Sequence, residues 1–275
     1  AVMVHVNVGL ANTLMGVINA ARDQVPMLLL SGRTPVGEGE RVGARDLPIH
    51  WGQEMRDQAG MLRELVKWDY ELRFPEQVPE LVDRALAIAQ SPPMGPVYLS
   101  LPREVLCQPL DGLRLPETPR QRPAAPSVPS PAALDEAAAL IASAERPLVI
   151  TQRAGAFAAG FEALTDLAER YALPGVEFWP PRISLASDHP MHAGFDPGPL
   201  LAEADLVLAV DALVPWIPKR HALAKGGKVT LFHDGAAVGD AYVGGDHPDL
   251  AVAPGTAWLL APFEQTLVRV PVPAC

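Results

Sequence analysis

The chain has 275 residues, 49% of them hydrophobic and 20% charged, with a formal net charge of −10. That length is enough for two ordinary domains, each with its own core. The acidic balance and the lack of clustered Lys and Arg exclude a general binder of nucleic acid or anionic membranes, and no apolar run approaches the ~18 residues of a membrane span.

The first run, AVMVHV, is expected to be a buried strand. Leu10, Leu14, Val17, Ile18 and Ala21 then recur at helical spacing, which leaves His5, Asn7, Gly9 and Asn12 around a strand-to-helix loop. PMLLLSG, residues 26–32, is a short continuous apolar run, the pattern of a strand covered on both faces. Strand, helix, strand implies a right-handed crossover in a parallel sheet. Residues 32–54 show no usable period. PEQVPELVDRALAIAQS is expected to be a helix and GPVYLSLP a strand.

Prolines at 109, 116, 119, 123, 126, 129 and 131 forbid a continuous helix or central strand there. We divide the chain into a first segment over 1–108, an extended proline-rich linker over 109–130, and a second segment over 131–275. Ser130 as N-cap with Pro131 behind it opens a helix through Leu134, Ala138 and Ile141. PLVIT, GVEFW, DLVLAVD and KVTLF read as strands; Phe161, Leu164, Leu167 and Tyr171 mark a helix, and GPLLAEA a helical turn. This alternation predicts an α/β protein with two doubly wound parallel-sheet (Rossmann-like) domains, the first incomplete. Ligands on such sheets bind beyond the strands' carboxyl ends. In the second segment these are the loops 151–155, 179–182, 211–216 and 233–235.

Two cysteines, Cys107 and Cys275, provide neither a disulfide framework nor a zinc spacing. The N-terminus lacks the basic start and small-residue cleavage site of a secretory signal, so a cytoplasmic location is expected. His189-Pro190-Met191-His192 is read as a solvated loop, because Pro190 interrupts any shared helical face and no third ligand is near. No G-x-S-x-G occurs to support a serine nucleophile.

Several stretches, in order, resemble thiamine-diphosphate-dependent enzymes of the acetolactate synthase and benzoylformate decarboxylase type. NVGLANTLMGVINAARDQVPMLLLSG resembles an element of that family's pyrimidine-binding domain, LVKWDYEL and GPVYLSLPREV resemble its closing part, and ADLVLAVDALVPWIP resembles a central-domain strand. The resemblance implies the later part of a pyrimidine-binding domain followed by a central domain. It also implies that the cofactor-activating glutamate lies on an element upstream of this match. The family's diphosphate and magnesium motif opens Gly-Asp-Gly and closes with Asn. Its nearest match here is Gly239-Asp240-Ala241, and Asn occurs only at 7, 12 and 19. Thiamine diphosphate and Mg2+ are therefore expected in a complete enzyme and not in this chain alone.

By the same resemblance, His5 takes the place of a proton-transferring histidine, a role that suits an imidazole. A histidine that ends a strand and bonds a backbone carbonyl is the alternative. Asn7, Gly9 and Asn12 fall on the cofactor-contacting loop, or form a structural turn in which Asn12 caps the helix. Gln53, in Trp51-Gly52-Gln53-Glu54, falls on a substrate-entrance stretch, or on a plain surface loop. Asp211 and Val214-Pro215-Trp216 lie where some relatives bind FAD or a CoA-type nucleotide. Gly155 and Gly160 are too sparse to cradle a pyrophosphate, so FAD is not expected and Trp216 is read as packing.

The implied function is part of a 2-keto acid decarboxylase (lyase) or acetolactate-synthase-like carboligase (transferase), inactive as this chain alone. The substrate is a small 2-keto acid and the assembly a dimer, a tetramer or a complex with a separate diphosphate-binding chain. A non-catalytic assembly subunit and a nucleotide-binding central module are the alternatives.

Overall fold

The computed structural model describes residues 1–233, 236–242, 256–260 and 267–271, with side chains through residue 230. The chain forms two compact units, Ala1–Pro126 and Ser127–Cys275. In the first, β1 (Val2–Val4) leads into α1 (Val6–Arg22), then β2 (Met27–Arg33), a single turn α2 (Ile49–Gly52), β3 (Asp69–Glu71), α3 (Val78–Gln90), β4 (Pro96–Pro102) and a short α4 (Arg103–Leu106). The strands form one sheet in the order β1-β2-β4-β3, parallel throughout.

Alternate residues of the central strands meet two different helices. Leu29 and Tyr98, opposite one another in register, pack with Leu10 and Val17 of α1, while Leu28, Val97 and Leu99 pack with Ala85 and Ala89 of α3. A strand covered on both faces needs no polar alternation, which explains the unbroken apolar run in β2. The edge strand β1 is different. Val2 is 39% and Met3 69% exposed, so the expectation of a buried first strand is corrected. Nothing among the described residues pairs with β1 on the side away from β2.

The helix also begins earlier than its apolar spacing suggests. Val6 takes φ 28° directly after the extended His5, and α1 runs on from there. Asn7, Gly9 and Asn12 are thus helical and form no loop, and Asn12 caps nothing. A left-handed φ at a β-branched residue is strained by about 1–3 kcal/mol.

The second unit holds α5 (Pro131–Ser143), β5 (Pro147–Thr151), α6 (Ala158–Tyr171), β6 (Gly175–Glu177), the turn α7 (Gly198–Leu201), β7 (Leu206–Val210), β8 (Lys228–His233) and β9 (Ala236–Tyr242). Ser130 Oγ accepts the Ala133 N–H at 3.2 Å, the expected cap. The sheet order is β6-β5-β7-β8-β9, parallel except for β9, which returns antiparallel to β8. Only two residues separate β8 from β9, too few for the crossover that a parallel neighbour requires. Leu148, Ile150, Val207 and Val229 face Leu201 on one side; Val149, Leu206 and Leu208 face Leu164 of α6 on the other. Strands β10 (Thr256–Leu260) and β11 (Leu267–Pro271) form a separate antiparallel pair.

The proline-rich stretch is held to the first unit at two points. The Arg120 N–H donates to Asp83 at 2.9 Å, and the Ala124 N–H to Ser91 Oγ at 2.9 Å. Among the described residues no helix is long and apolar enough to cross a membrane.

Candidate functional site

The carboxyl edge of the first sheet brings two of the sequence-derived residues to one corner. Val4 pairs with Ser31, so His5 leaves β1 beside Gly32 of β2, where a methyl built on Gly32 would stand 3.6 Å from Val6 Cγ1. Just beyond β2, Thr34 Oγ1 donates to the main-chain oxygen of Gln53 at 3.4 Å. His5 thus follows the β1 residue that pairs with Ser31, and the Gln53 main chain is held one residue past β2. His5 is exposed and Asn7 half-buried in the first turn of α1.

Gly9 and Asn12 are not part of this corner. A methyl on Gly9 would lie 3.2 Å from Val4 Cβ, so the bare glycine lets α1 approach its own strand. Asn12 is exposed farther along the helix.

The stretch from 34 to 58 has little regular structure and is held by side chains. Arg33 pairs with Glu71 at the end of β3 and donates to the Met55 carbonyl at 3.2 Å. Arg45 pairs with Glu54, donates to the Pro35 carbonyl at 2.7 Å and lies 5.2 Å from the ring centre of Trp51. Gln58, 2% exposed, donates to the Gly32 carbonyl at 2.9 Å and reaches Ser31 and Tyr98 at the same distance. Lys67 donates to the Ile88 and Ser91 carbonyls, and burial lowers its pKa. It ends α3 away from this corner.

In the second unit the carboxyl-end loops are joined by residues that the sequence did not single out. Gln152, just past β5, accepts the Leu213 N–H at 2.7 Å and donates to the Phe178 carbonyl at 2.8 Å. It thus links the exits of β5, β6 and β7. Trp179 and Asp211 adopt φ 51° and 47° at two of those exits. A cavity of about 470 Å³ opens nearby, lined by Phe178, Trp179, Phe195, Asp196, Arg220 and His221. Of these only Trp179 lay in a loop flagged by strand ends; Phe195, Arg220 and His221 carry no local signal.

His189 and His192 correct the reading of a solvated loop, since their side chains are 8% and 6% exposed. His192 Nε2 reaches Glu177, at the end of β6, at 3.0 Å. Gly155 and Gly160 have no open side for a phosphate. A methyl on Gly155 would collide with the Ile183 carbonyl, and one on Gly160 with the Ala154 carbonyl. Trp216 packs partly buried against the β5–β7 core, as expected. Gly239-Asp240-Ala241 lies within β9, Asp240 opposite Thr230, in strand and not at a helix start. Asp234 and Gly235, in the fourth expected loop, and Cys275 lie outside the described residues; Cys107 is exposed and free. Among the described residues no three His, Cys, Asp or Glu side chains gather as a metal site.

Two doubly wound α/β units, with sheets parallel apart from β9, belong to the class of folds in which ligands bind beyond the strands' carboxyl ends. A family model described as thiamine pyrophosphate enzyme, N-terminal TPP binding domain, matches residues 1–61, and one described as thiamine pyrophosphate enzyme, central domain, matches 134–244. The chain belongs to the thiamine-diphosphate-dependent enzyme family. The Pseudomonas aeruginosa protein named "Probable 2-ketoarginine decarboxylase AruI" is 36% identical over 209 residues, covering 74% of this chain and 35% of that protein. A Methanocaldococcus jannaschii protein named "Probable acetolactate synthase large subunit" is 27% identical over 68% of this chain and 30% of its own length. The crystal structure of benzoylformate decarboxylase from Polynucleobacter necessarius shares the fold, with a TM-score of 0.65 at 24% identity over 84% of this chain and 43% of that one. The chain spans about a third of the length of the curated relatives it matches.

Proposed function

We propose that this chain is the pyrimidine-side and central part of a cytoplasmic, oligomeric thiamine-diphosphate enzyme that acts on a small 2-keto acid, by decarboxylation or by acetolactate-type carboligation. The observation that supports this reading is the carboxyl end of β2, where the residue after β1, His5, follows the pair Val4–Ser31 and the Gln53 main chain is held by Thr34. The relatives' names, a 2-ketoarginine decarboxylase and an acetolactate synthase, support the substrate class. In this reading residues 1–108 belong to the pyrimidine-binding domain and 131–275 to the central domain.

Thiamine diphosphate, when bound, supplies the electron sink that a 2-keto acid needs to lose carbon dioxide. His5, exposed at the end of β1, holds or delivers a proton at its imidazole, and Asn7 offers a carboxamide in the first turn of α1. Gln53, whose main-chain oxygen accepts the Thr34 hydroxyl just past β2, is the residue this reading assigns to the substrate side. The described residues do not suit Mg2+ and diphosphate: they gather no acid cluster, and the Gly-Asp dipeptide is committed to β9. No step is therefore routed through the metal.

The test is turnover of pyruvate and benzoylformate by the purified chain, with thiamine diphosphate and Mg2+ supplied. No turnover is expected from the chain alone. Activity is expected once the diphosphate-binding half is supplied, either in the same polypeptide or by a separate one, the latter detectable as a stable complex by intact mass. Turnover by the isolated chain overturns the reading.

The aromatic and cationic cavity favours a second reading, a nucleotide-binding central module. A thermal shift with ADP or FAD that is abolished by Arg220→Ala is its signature.

A further inference from the structure

We propose that Glu104 and Arg103, the first two residues of α4, form a two-handed latch that positions residues 36–50 and, through them, the Gln53 stretch at the end of β2. The inference rests on the reading of Gln53 above for its functional meaning, but not for its structure. One oxygen of Glu104 accepts the Val36 N–H at 2.6 Å and the Gly37 N–H at 2.9 Å. The side chain is buried, so these bonds exchange little with water. Arg103 takes the other end of the segment. It donates to both carboxylate oxygens of Asp46, at 2.8 and 3.0 Å, and to the Ala44 carbonyl at 3.2 Å, and it lies 3.3 Å from either ring nitrogen of His50.

Between these grips the chain lies on α4 without clearance. Gly43 adopts φ +81°, and a methyl there would be 2.9 Å from Glu104 Cα. Consecutive residues of a four-residue turn therefore hold a segment that has almost no regular structure of its own. Arg103 and Glu104 begin directly after β4, so the grip has the rigidity of a central strand behind it. The segment closes on β2 through Thr34 and the Gln53 carbonyl, which carries the constraint to the proposed substrate contact.

The latch titrates through its carboxylate. Burial works against ionisation of Glu104, but the N–H groups of Gly37, of Glu104 itself and of Val36, with Arg41 nearby, hold its pKa below the ordinary glutamate value. The other charged or titratable groups at this face are Arg103 on α4, Cys107 just past its end, and Asp46, His50 and Arg45 on the segment. Asp46 is held low by the hydrogen bond and charge of Arg103. A group with a depressed folded pKa contributes above its unfolded value and loses that contribution as pH falls through the folded one. The latch is closed at neutral pH and opens in acid.

Hydrogen exchange of the whole chain, corrected for the intrinsic rate at each pH, tests this at the Val36 and Gly37 amides. Acidification is expected to strip protection from these amides before those of Val97–Leu99 in β4. Glu104→Ala removes it at every pH, by roughly tenfold or more for loss of charge-assisted bonds to a buried acceptor. Glu104→Gln keeps an acceptor oxygen in place and restores much of the protection, without its pH dependence. Three results overturn the proposal: no selective loss in acid, an unchanged Val36–Gly37 pair in Glu104→Ala, or a wild-type pH profile in Glu104→Gln. The role of Gln53 is read separately: a functioning latch with an unchanged substrate KM for Gln53→Ala in the complete assembly removes that role alone.

Discussion

His192 Nε2 lies 3.0 Å from a carboxylate oxygen of Glu177, with both side chains buried. The ring's Nδ1 accepts the Gly194 N–H, which leaves the proton on Nε2 and makes it the donor to Glu177. The other Glu177 oxygen accepts the Ser184 N–H at 2.5 Å. His192→Ala strands half of a buried carboxylate, and a loss of about 3 kcal/mol in denaturant unfolding is expected. Adding Glu177→Leu removes the unpaired group as well, so the double variant should be more stable than the sum of the two single losses. Additivity of the two would show that the contact carries no coupling.

Glycine substitutions separate close approach from mere helix content. At Gly155 an added methyl meets the Ile183 carbonyl carbon at 2.8 Å, and that partner is backbone, unable to swing away. Gly155→Ala should lower stability by about 2–4 kcal/mol. Gly16 sits within α1 with nothing within 4 Å of the same methyl. Gly16→Ala should raise stability by about 0.5–1 kcal/mol, because alanine restricts the unfolded chain and suits the helix. Thermal melts of the two variants should shift in opposite directions.

The parts of the fold that announce themselves in the sequence are those buried on both faces. β2, β4, β5 and β7 are continuous apolar runs because helices cover each side, and Ser130 with Pro131 marks a helix start by local chemistry alone. β3 is only Asp-Tyr-Glu, too short and too acidic to show a period, and it becomes a strand because β4 offers it an edge. The start of α1 is not legible in the sequence because Val6 adopts a left-handed φ that its side chain disfavours. His189 and His192 look solvent-facing beside Pro190, and Glu177, fifteen residues away and brought close by the sheet, joins the Gly194 N–H in making burial of His192 tolerable. The same holds at the candidate site. His5 and Gln53 could be picked out by resemblance, whereas the grips of Arg33, Arg45 and Glu104 depend on contacts across the fold.

Asp205 supplies a pH-dependent prediction. It precedes β7 and accepts the N–H groups of Glu145 at 2.7 Å and Arg146 at 2.9 Å, fixing the turn before β5. Burial opposes its ionisation, yet those N–H groups, its own, and the charge of Arg146 hold its pKa below the ordinary aspartate value. A depressed carboxylate stabilises the fold above its unfolded pKa, and that stability is lost as pH falls through the folded value. Asp205→Asn keeps one acceptor and turns an amide N–H toward the other donor, so it should cost about 1–2 kcal/mol at neutral pH. In acid the wild type loses the same bonds, and the two unfolding curves should converge. A gap that stays constant across the range would assign the effect to packing.

Gln152 makes the most demanding prediction, because its carboxamide is used at both ends. The oxygen accepts from Leu213 and Val214, and the nitrogen donates to the Phe178 and Val214 carbonyls, at 2.7 to 3.3 Å. Gln152→Leu fills similar space while leaving these main-chain groups without their partner, at a cost of about 2–4 kcal/mol. Gln152→Glu discriminates further. It retains an acceptor for the two N–H groups but points a second carboxylate oxygen at two carbonyls, which repel it when ionised. Protonated, the same group donates one of the lost bonds. Gln152→Glu should therefore be the less stable variant at neutral pH and gain on the wild type as the solution is acidified, a reversal that Gln152→Leu cannot show. Exchange rates at the Leu213 and Val214 amides should follow the same order. Equal pH profiles for the two variants would mean that the carboxamide only fills space between the loops.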